Sequence, residues 1–175
     1  ARKPYASGHF NLGNAFRSQG KMTEAIVEYR QAAEADGTYL EAIRSLASVL
    51  EGEGLLDEAV VQYRRALRIE PDASVYFNLG NSLARLGRLE EAVIEYRRAV
   101  ALSRHASAHF NLGNVLRKQG KMDEAIREYR KTTAIEPHAN AHKNLGRALM
   151  TQGKEEEAEV EFRKAAEIER AARDR

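Results

Sequence analysis

The chain contains no cysteine, only three prolines in 175 residues, and no apolar run approaching the roughly 18 residues of a membrane span. Without cysteine, disulfides and thiolate chemistry are excluded; the compartment stays open, with the cytoplasm favoured. No signal-peptide core opens the sequence, and the missing apolar run argues against membrane insertion. An excess of one charge is also lacking: 28 Lys+Arg stand against 26 Asp+Glu, a net charge of +2. Nucleic acids meet concentrated basic patches, so this balance argues against such a partner. No Ser/Gly-rich stretch reads as a linker, so residues 1–175 are expected to form one array.

Catalytic constellations are lacking too. Every Leu-Gly pair lies within a helical pattern rather than after a strand, so no phosphate-cradling loop is formed. The five histidines and few serines show no triad ordering. His105 and His109, like His138 and His142, are four apart, a spacing that can chelate a metal on a helix. The first of each pair falls in a loop, and no cysteine or placed carboxylate completes the set. No enzyme activity, metal or cofactor is expected.

What is present is 43% hydrophobic and 31% charged residues, a folded composition, arranged as a repeat. Gly20, Gly54, Gly87, Gly120 and Gly153 are separated by 34, 33, 33 and 33 residues. The same intervals relate Tyr29, Tyr63, Tyr96, Tyr129 and Phe162, and also Ala25, Ala59, Ala92, Ala125 and Ala158. In the fourth copy His109, Leu112, Gly113 and Leu116 make one helical stripe, and Gly120 breaks it. Asp123 is placed to cap a second helix, which puts Ala125, Ile126, Tyr129, Thr132 and Thr133 on one face before Pro137. Small residues, Gly113 and Ala125, mark where the two helices approach. One such pair cannot bury its own stripe, so stacked copies are needed.

These residues resemble the tetratricopeptide repeat (TPR) family, and "FNLGNVLRKQGKMDEAIREYRKTTAIEP" at 110–137 carries nearly all of its signature. The resemblance implies an all-α, right-handed α-solenoid of five helix-turn-helix repeats, at about 6–39, 40–72, 73–105, 106–138 and 139–171. The position where the family often has tryptophan holds His9, Ile43, Tyr76, His109 and His142. "ARKPYA" reads as the tail of a preceding repeat, because Pro4 precedes Gly13 by the nine residues that separate Pro71 from Gly80. The chain is therefore expected to come from a longer array or protein. The charged segment from Glu155 to Arg175 reads as a last helix running into solvent.

Helical projection turns part of the first helix away from the core stripe. That side holds Phe10, Asn11 and Asn14, then Phe77, Asn78 and Asn81, then Phe110, Asn111 and Asn114, with Asn144 in the last copy. The second helix exposes a mixed-charge face, including Glu90, Glu91, Glu95, Arg97 and Arg98, that reads as solvated surface. Asparagine is a mediocre helix former that offers both a donor and an acceptor, so an outward row suits the backbone of an extended peptide. The family resemblance implies that this helix lines a peptide-holding groove. Repeat 2 carries Arg44, Ser45 and Ser48 instead, so the packing is expected not to need the asparagines. The phenylalanines either contact ligand or pack between repeats.

Arg17, Arg44, Arg85, Arg117, Lys118, Lys143 and Arg147 flank the row, so an acidic or carboxylate-bearing ligand is expected. A complete clamp of the kind that holds chaperone tails is absent, since its lysine positions hold phenylalanine or serine. The groove is similar to the substrate-selecting TPR region of O-GlcNAc transferases. The leading expectation is a non-enzymatic scaffold binding a protein or peptide. Alternatives are a substrate-docking segment of a larger enzyme, such as a glycosyltransferase, and a structural module forming homo-oligomers by repeat stacking.

Overall fold

The computed structural model describes residues 4–174. Among the described residues it is all helical, with two consecutive helices in each expected repeat. The pairs are α1 (Pro4–Ser18) with α2 (Met22–Ala35), α3 (Leu40–Gly52) with α4 (Leu56–Ile69), and α5 (Ala73–Arg85) with α6 (Leu89–Leu102). Then come α7 (Ala106–Lys118) with α8 (Met122–Ile135), and α9 (Ala139–Met150) with α10 (Glu155–Arg173). This is the expected solenoid-like class. α1 begins at Pro4, a position that suits proline because a helix leaves its first N–H groups unbonded anyway. Pro4 and Tyr5 are thus helical, and Ala1 to Lys3 of the expected tail lie outside the described residues.

The chain divides into two compact units, Ala1–Glu91 and Ala92–Arg175, with the division inside α6. In the first unit α1 packs on α2, α2 on α3, α3 on α4 and α4 on α5. In the second, α7 packs on α8, α8 on α9 and α9 on α10.

The turn inside each pair follows from its glycine. Gly20, Gly54, Gly87, Gly120 and Gly153 all have φ between +71° and +79°, a left-handed conformation that costs a side-chain-bearing residue roughly 1 kcal/mol or more. It lets the next residue's N–H reach back five positions, as from Lys121 to the Leu116 carbonyl at 2.9 Å and from Leu55 to the Leu50 carbonyl at 2.8 Å. The first helix is closed and the second starts within two residues. That tightness corrects the expected cap: Lys121 is the residue before α8, and Asp123 sits in the first turn, where its charge complements the helix dipole.

In three of the pairs an aromatic ring is laid on a glycine, while Ala47 holds the equivalent position in repeat 2. Tyr29 and Tyr129 are completely buried, and a Cβ on Gly13 or Gly113 would meet their rings at 2.8 and 2.7 Å. Gly146 stands in the same relation to Phe162, at 2.7 Å. Only a residue without a side chain lets the two backbones approach this closely, and each buried aromatic contributes about 1.5–3 kcal/mol. Ala25, Ala59 and Ala125, all fully buried, keep the facing helix equally close.

The outer faces of the second helices carry a regular set of ion pairs between successive repeats. Arg30 reaches Glu58 at 2.8 Å, Arg64 reaches Glu91 at 2.6 Å, Arg97 reaches Glu124 at 2.7 Å and Arg130 reaches Glu157 at 2.9 Å. All are largely exposed, so each contributes about 0–1 kcal/mol. One residue assigned to this solvated face lies elsewhere: Glu95 is buried, with Arg98 at 2.9 Å from its carboxylate. α10 runs to 19 residues, and most of its surface is exposed and charged.

Candidate functional site

Two asparagines of the outward row, Asn14 and Asn114, are tied to the fold by the aromatic residue of the same repeat. The Tyr29 hydroxyl donates to Asn14 Oδ1 at 2.7 Å, and the Tyr129 hydroxyl donates to Asn114 Oδ1 at 2.9 Å. A buried phenol needs an acceptor, and the second asparagine of the motif supplies it. Asn144 Nδ2 donates to the same Asn114 oxygen at 2.9 Å, so an asparagine of one repeat is bonded to one of the next. Repeat 2 packs without the asparagines, but its phenol still finds an acceptor. Ser48 stands there in place of the asparagine, and the Tyr63 hydroxyl turns to Glu51 Oε2 at 2.7 Å. The acceptor was replaced rather than dispensed with. Burial first, and then the Glu51 carboxylate, push the Tyr63 phenol far above its ordinary range, against a hydrogen bond from Asn78. Burial also raises Tyr129, opposed by hydrogen bonds from Arg117 and Asn144.

The phenylalanines are half-buried rather than outward. Phe10 packs on Tyr29 and Tyr39 with ring centroids 5.8 and 5.1 Å away, and Phe110 on Tyr129 and His138 at 6.1 and 4.6 Å. Tyr39 and His138 immediately precede the next repeat's first helix, so these rings pack between repeats. Phe77, Asn78, Asn81 and Asn111 are half-buried, and Asn11 is exposed.

Within the first unit, α1, α3 and α5 converge on one open cleft of about 270 Å³. Arg17, Arg44, Ser45, Ser48, Ser74 and Asn78 line it, with Tyr63 and Asp72. Arg85 lies close by, donating to the Glu51 carbonyl at 3.0 Å. In the second unit Arg147 reaches Asn144 Oδ1 only at 3.5 Å, and Arg117 and Lys118 are exposed. Lys143, expected to face a ligand, is instead paired with Glu169 of α10.

The histidines do other work. His105 and His138 cap α7 and α9, their Nδ1 atoms accepting from the Ala108 and Ala141 amides at 3.2 and 3.1 Å. His9, His109 and His142 each pair through Nδ1 with Glu28, Glu128 and Glu161, at 2.5, 2.6 and 2.5 Å, across the two helices of a repeat. Sequence reasoning missed these couples, though a signal was present: histidine and glutamate recur 19 residues apart in the same three repeats, while the second has Ile43 and Gln62 at those positions. Among the described residues no group of three or more potential metal ligands is found, and no helix is long and apolar enough to cross a membrane.

Profiles described as tetratricopeptide repeat match residues 6–39, 71–135 and 110–174, and one described as TPR repeat matches 53–87. The chain belongs to the tetratricopeptide repeat family, whose members are scaffolds for protein–protein interaction. No curated protein matches the sequence significantly. Among solved structures, it is similar to MamA, with 28% identity over 94% of this chain and 98% of that one and a TM-score of 0.91. It is similar also to YrrB, described as a TPR protein with an unusual peptide-binding site, with 25% identity over 96% of this chain and 93% of that one and a TM-score of 0.80. A MamA fragment from Desulfovibrio magneticus RS-1, 20% identical over 98% of both chains with a TM-score of 0.89, shares the fold.

Proposed function

We propose that the protein binds an extended peptide segment along the face formed by the first helices of its repeats. The observation that carries this reading is the fixed orientation of Asn14 and Asn114. Each amide oxygen accepts a tyrosine hydroxyl, which leaves the Nδ2 hydrogens as the groups available to a ligand. At these two positions the protein is a donor, and the partner group is a carbonyl, the one acceptor that every peptide residue provides irrespective of its side chain. The likeness to a TPR protein with a peptide-binding site supports the same reading.

The flanking cations, Arg17, Arg44, Arg85, Arg117, Lys118 and Arg147, favour an acidic segment. Asn11, Asn78, Asn81, Asn111 and Asn144 extend the donor set, with Phe10, Phe77 and Phe110 as its apolar floor. Lys143 is available only when Glu169 releases it. A random-sequence nonapeptide library tests the reading. Replacing Asn78 and Asn111 by Ala weakens retained peptides by about 0.5–1.5 kcal/mol per lost hydrogen bond, with little change in the unfolding midpoint because Tyr63 keeps Glu51. Unchanged affinity in a folded double variant refutes it.

A further inference from the structure

The cleft in the first unit lies where repeat 2 departs from its neighbours. Ser45 and Ser48 replace the two asparagines of repeat 1, and Arg44 replaces Phe10. The smaller side chains of α3 leave the opening of about 270 Å³, and arginines from two helices border it. Arg44 lies 3.5 Å from Asp72, yet its Nε and Nη2 are buried and complete no hydrogen bond. The Asp72 carboxylate also caps α5, accepting from the Val75 amide at 2.9 Å. Arg17 is exposed, and among the described residues no acid pairs with it.

Two guanidinium groups therefore face one carboxylate that is already engaged. Buried N–H groups on a permanent cation are best satisfied by a charged acceptor, and a planar fork matches an oxyanion. The serine hydroxyls and the Asn78 amide add neutral hydrogen-bonding groups around the same opening. We propose that this cleft is the side-chain pocket of the peptide face, taking one anionic side chain of the bound segment, the carboxylate of Asp or Glu or the phosphate of a phosphoserine. This rests on the peptide reading above. It differs from a lysine clamp on a chain terminus: the recognised group lies inside the segment and is read by arginines.

The test uses fluorescent, acetylated and amidated nonapeptide pools on the full chain, with the central residue fixed as Asp, Glu, phosphoserine, Asn or Gln and the others randomised. The expected result is at least fivefold stronger retention of the Asp and Glu pools than of the Asn and Gln pools, abolished by Arg17→Gln and by Ser48→Asp. The second variant places a carboxylate of the protein's own beside both arginines. Enrichment of the phosphoserine pool alone, with the same sensitivity, assigns the pocket to phosphate. Equal retention of acidic and amide pools overturns the pocket while leaving the peptide reading standing. Retention of no pool overturns both. Arg17 is exposed, so its variant remains informative should Arg44→Gln fail to fold.

Discussion

Gly113→Ala isolates the contact on which the helix pair is built. A Cβ there would lie 2.7 Å from Tyr129 Cε1 and 2.8 Å from Cδ1, where relaxed carbon contacts need about 3.5–4.0 Å. The overlap of about 1 Å has to be relieved by the ring or by the backbone. The ring has no room: it is fully buried, its hydroxyl is held on Asn114 at 2.9 Å, and Phe110 packs beside it. Overpacking of this kind costs about 1–3 kcal/mol. Alanine in a helix interior regains about 0.8–1.0 kcal/mol over glycine, so the net loss is about 0–2 kcal/mol. The sharper quantity is the contrast with Gly8→Ala, on an exposed stretch of α1 with nothing within 4 Å of the new atom. There only the propensity gain operates, and the two variants should differ by about 1–3 kcal/mol. Urea unfolding followed by far-UV circular dichroism reads the difference. Amide hydrogen exchange at α7 and α8 shows whether the loss is confined to that repeat, because repeat proteins can unfold in sections. If Gly113→Ala is as stabilising as Gly8→Ala, the ring-on-glycine account is wrong.

Asn114→Ala removes the acceptor of both Tyr129 and Asn144 and should cost about 1–3 kcal/mol; a neutral result in a urea titration would show that the phenol finds another partner. For Glu161, burial pushes the carboxyl up, but hydrogen bonds from Lys164 and His142 outweigh it and hold it below the ordinary carboxylate range. A depressed carboxyl contributes stability that is fully present above its unfolded pKa of about 4.3 and lost as pH falls through the lower folded value. Glu161→Gln should therefore flatten the stability profile below about pH 5, and an unchanged acid limb refutes the coupling. A double-mutant cycle on Arg64 and Glu91 should return no more than about 1 kcal/mol for a pair this exposed; a coupling of several kcal/mol would mean that the outer ladder acts as a network. Ala125→Leu should cost about 1–3 kcal/mol by thermal melt, and neutrality would contradict the close helix approach.

The fold was legible because its determinants are local and repeated. A glycine that must be left-handed, an aromatic nine residues on and an alanine between them recur at one interval, and each maps onto one feature of the helix pair. Asp123 misled because cap preference assumes a lead-in before the helix. The turn around Gly120 leaves none, so Lys121 takes that position with no side-chain bond. The asparagines were half legible. Projection separates them from the core stripe, but it says nothing of the tyrosine fifteen residues later whose hydroxyl returns across the helix to meet Asn14 or Asn114. For the phenylalanines projection left ligand contact and packing between repeats equally open. A single helix does not reveal Tyr39 or His138, which lead into the next repeat, closing over Phe10 and Phe110.

The interchange of Asn14 for Glu51 beneath an unchanged tyrosine bears on how such chains diverge. A duplicated repeat can alter the chemistry it displays by a few substitutions, provided some acceptor still lies within a helical turn of the old one. The aromatic anchor tolerates the exchange, so new recognition can be acquired one repeat at a time without an unfolded intermediate in the lineage. Repeat 2 shows such an arrangement, with an arginine and two serines where repeat 1 has a phenylalanine and two asparagines, and with the ring still seated.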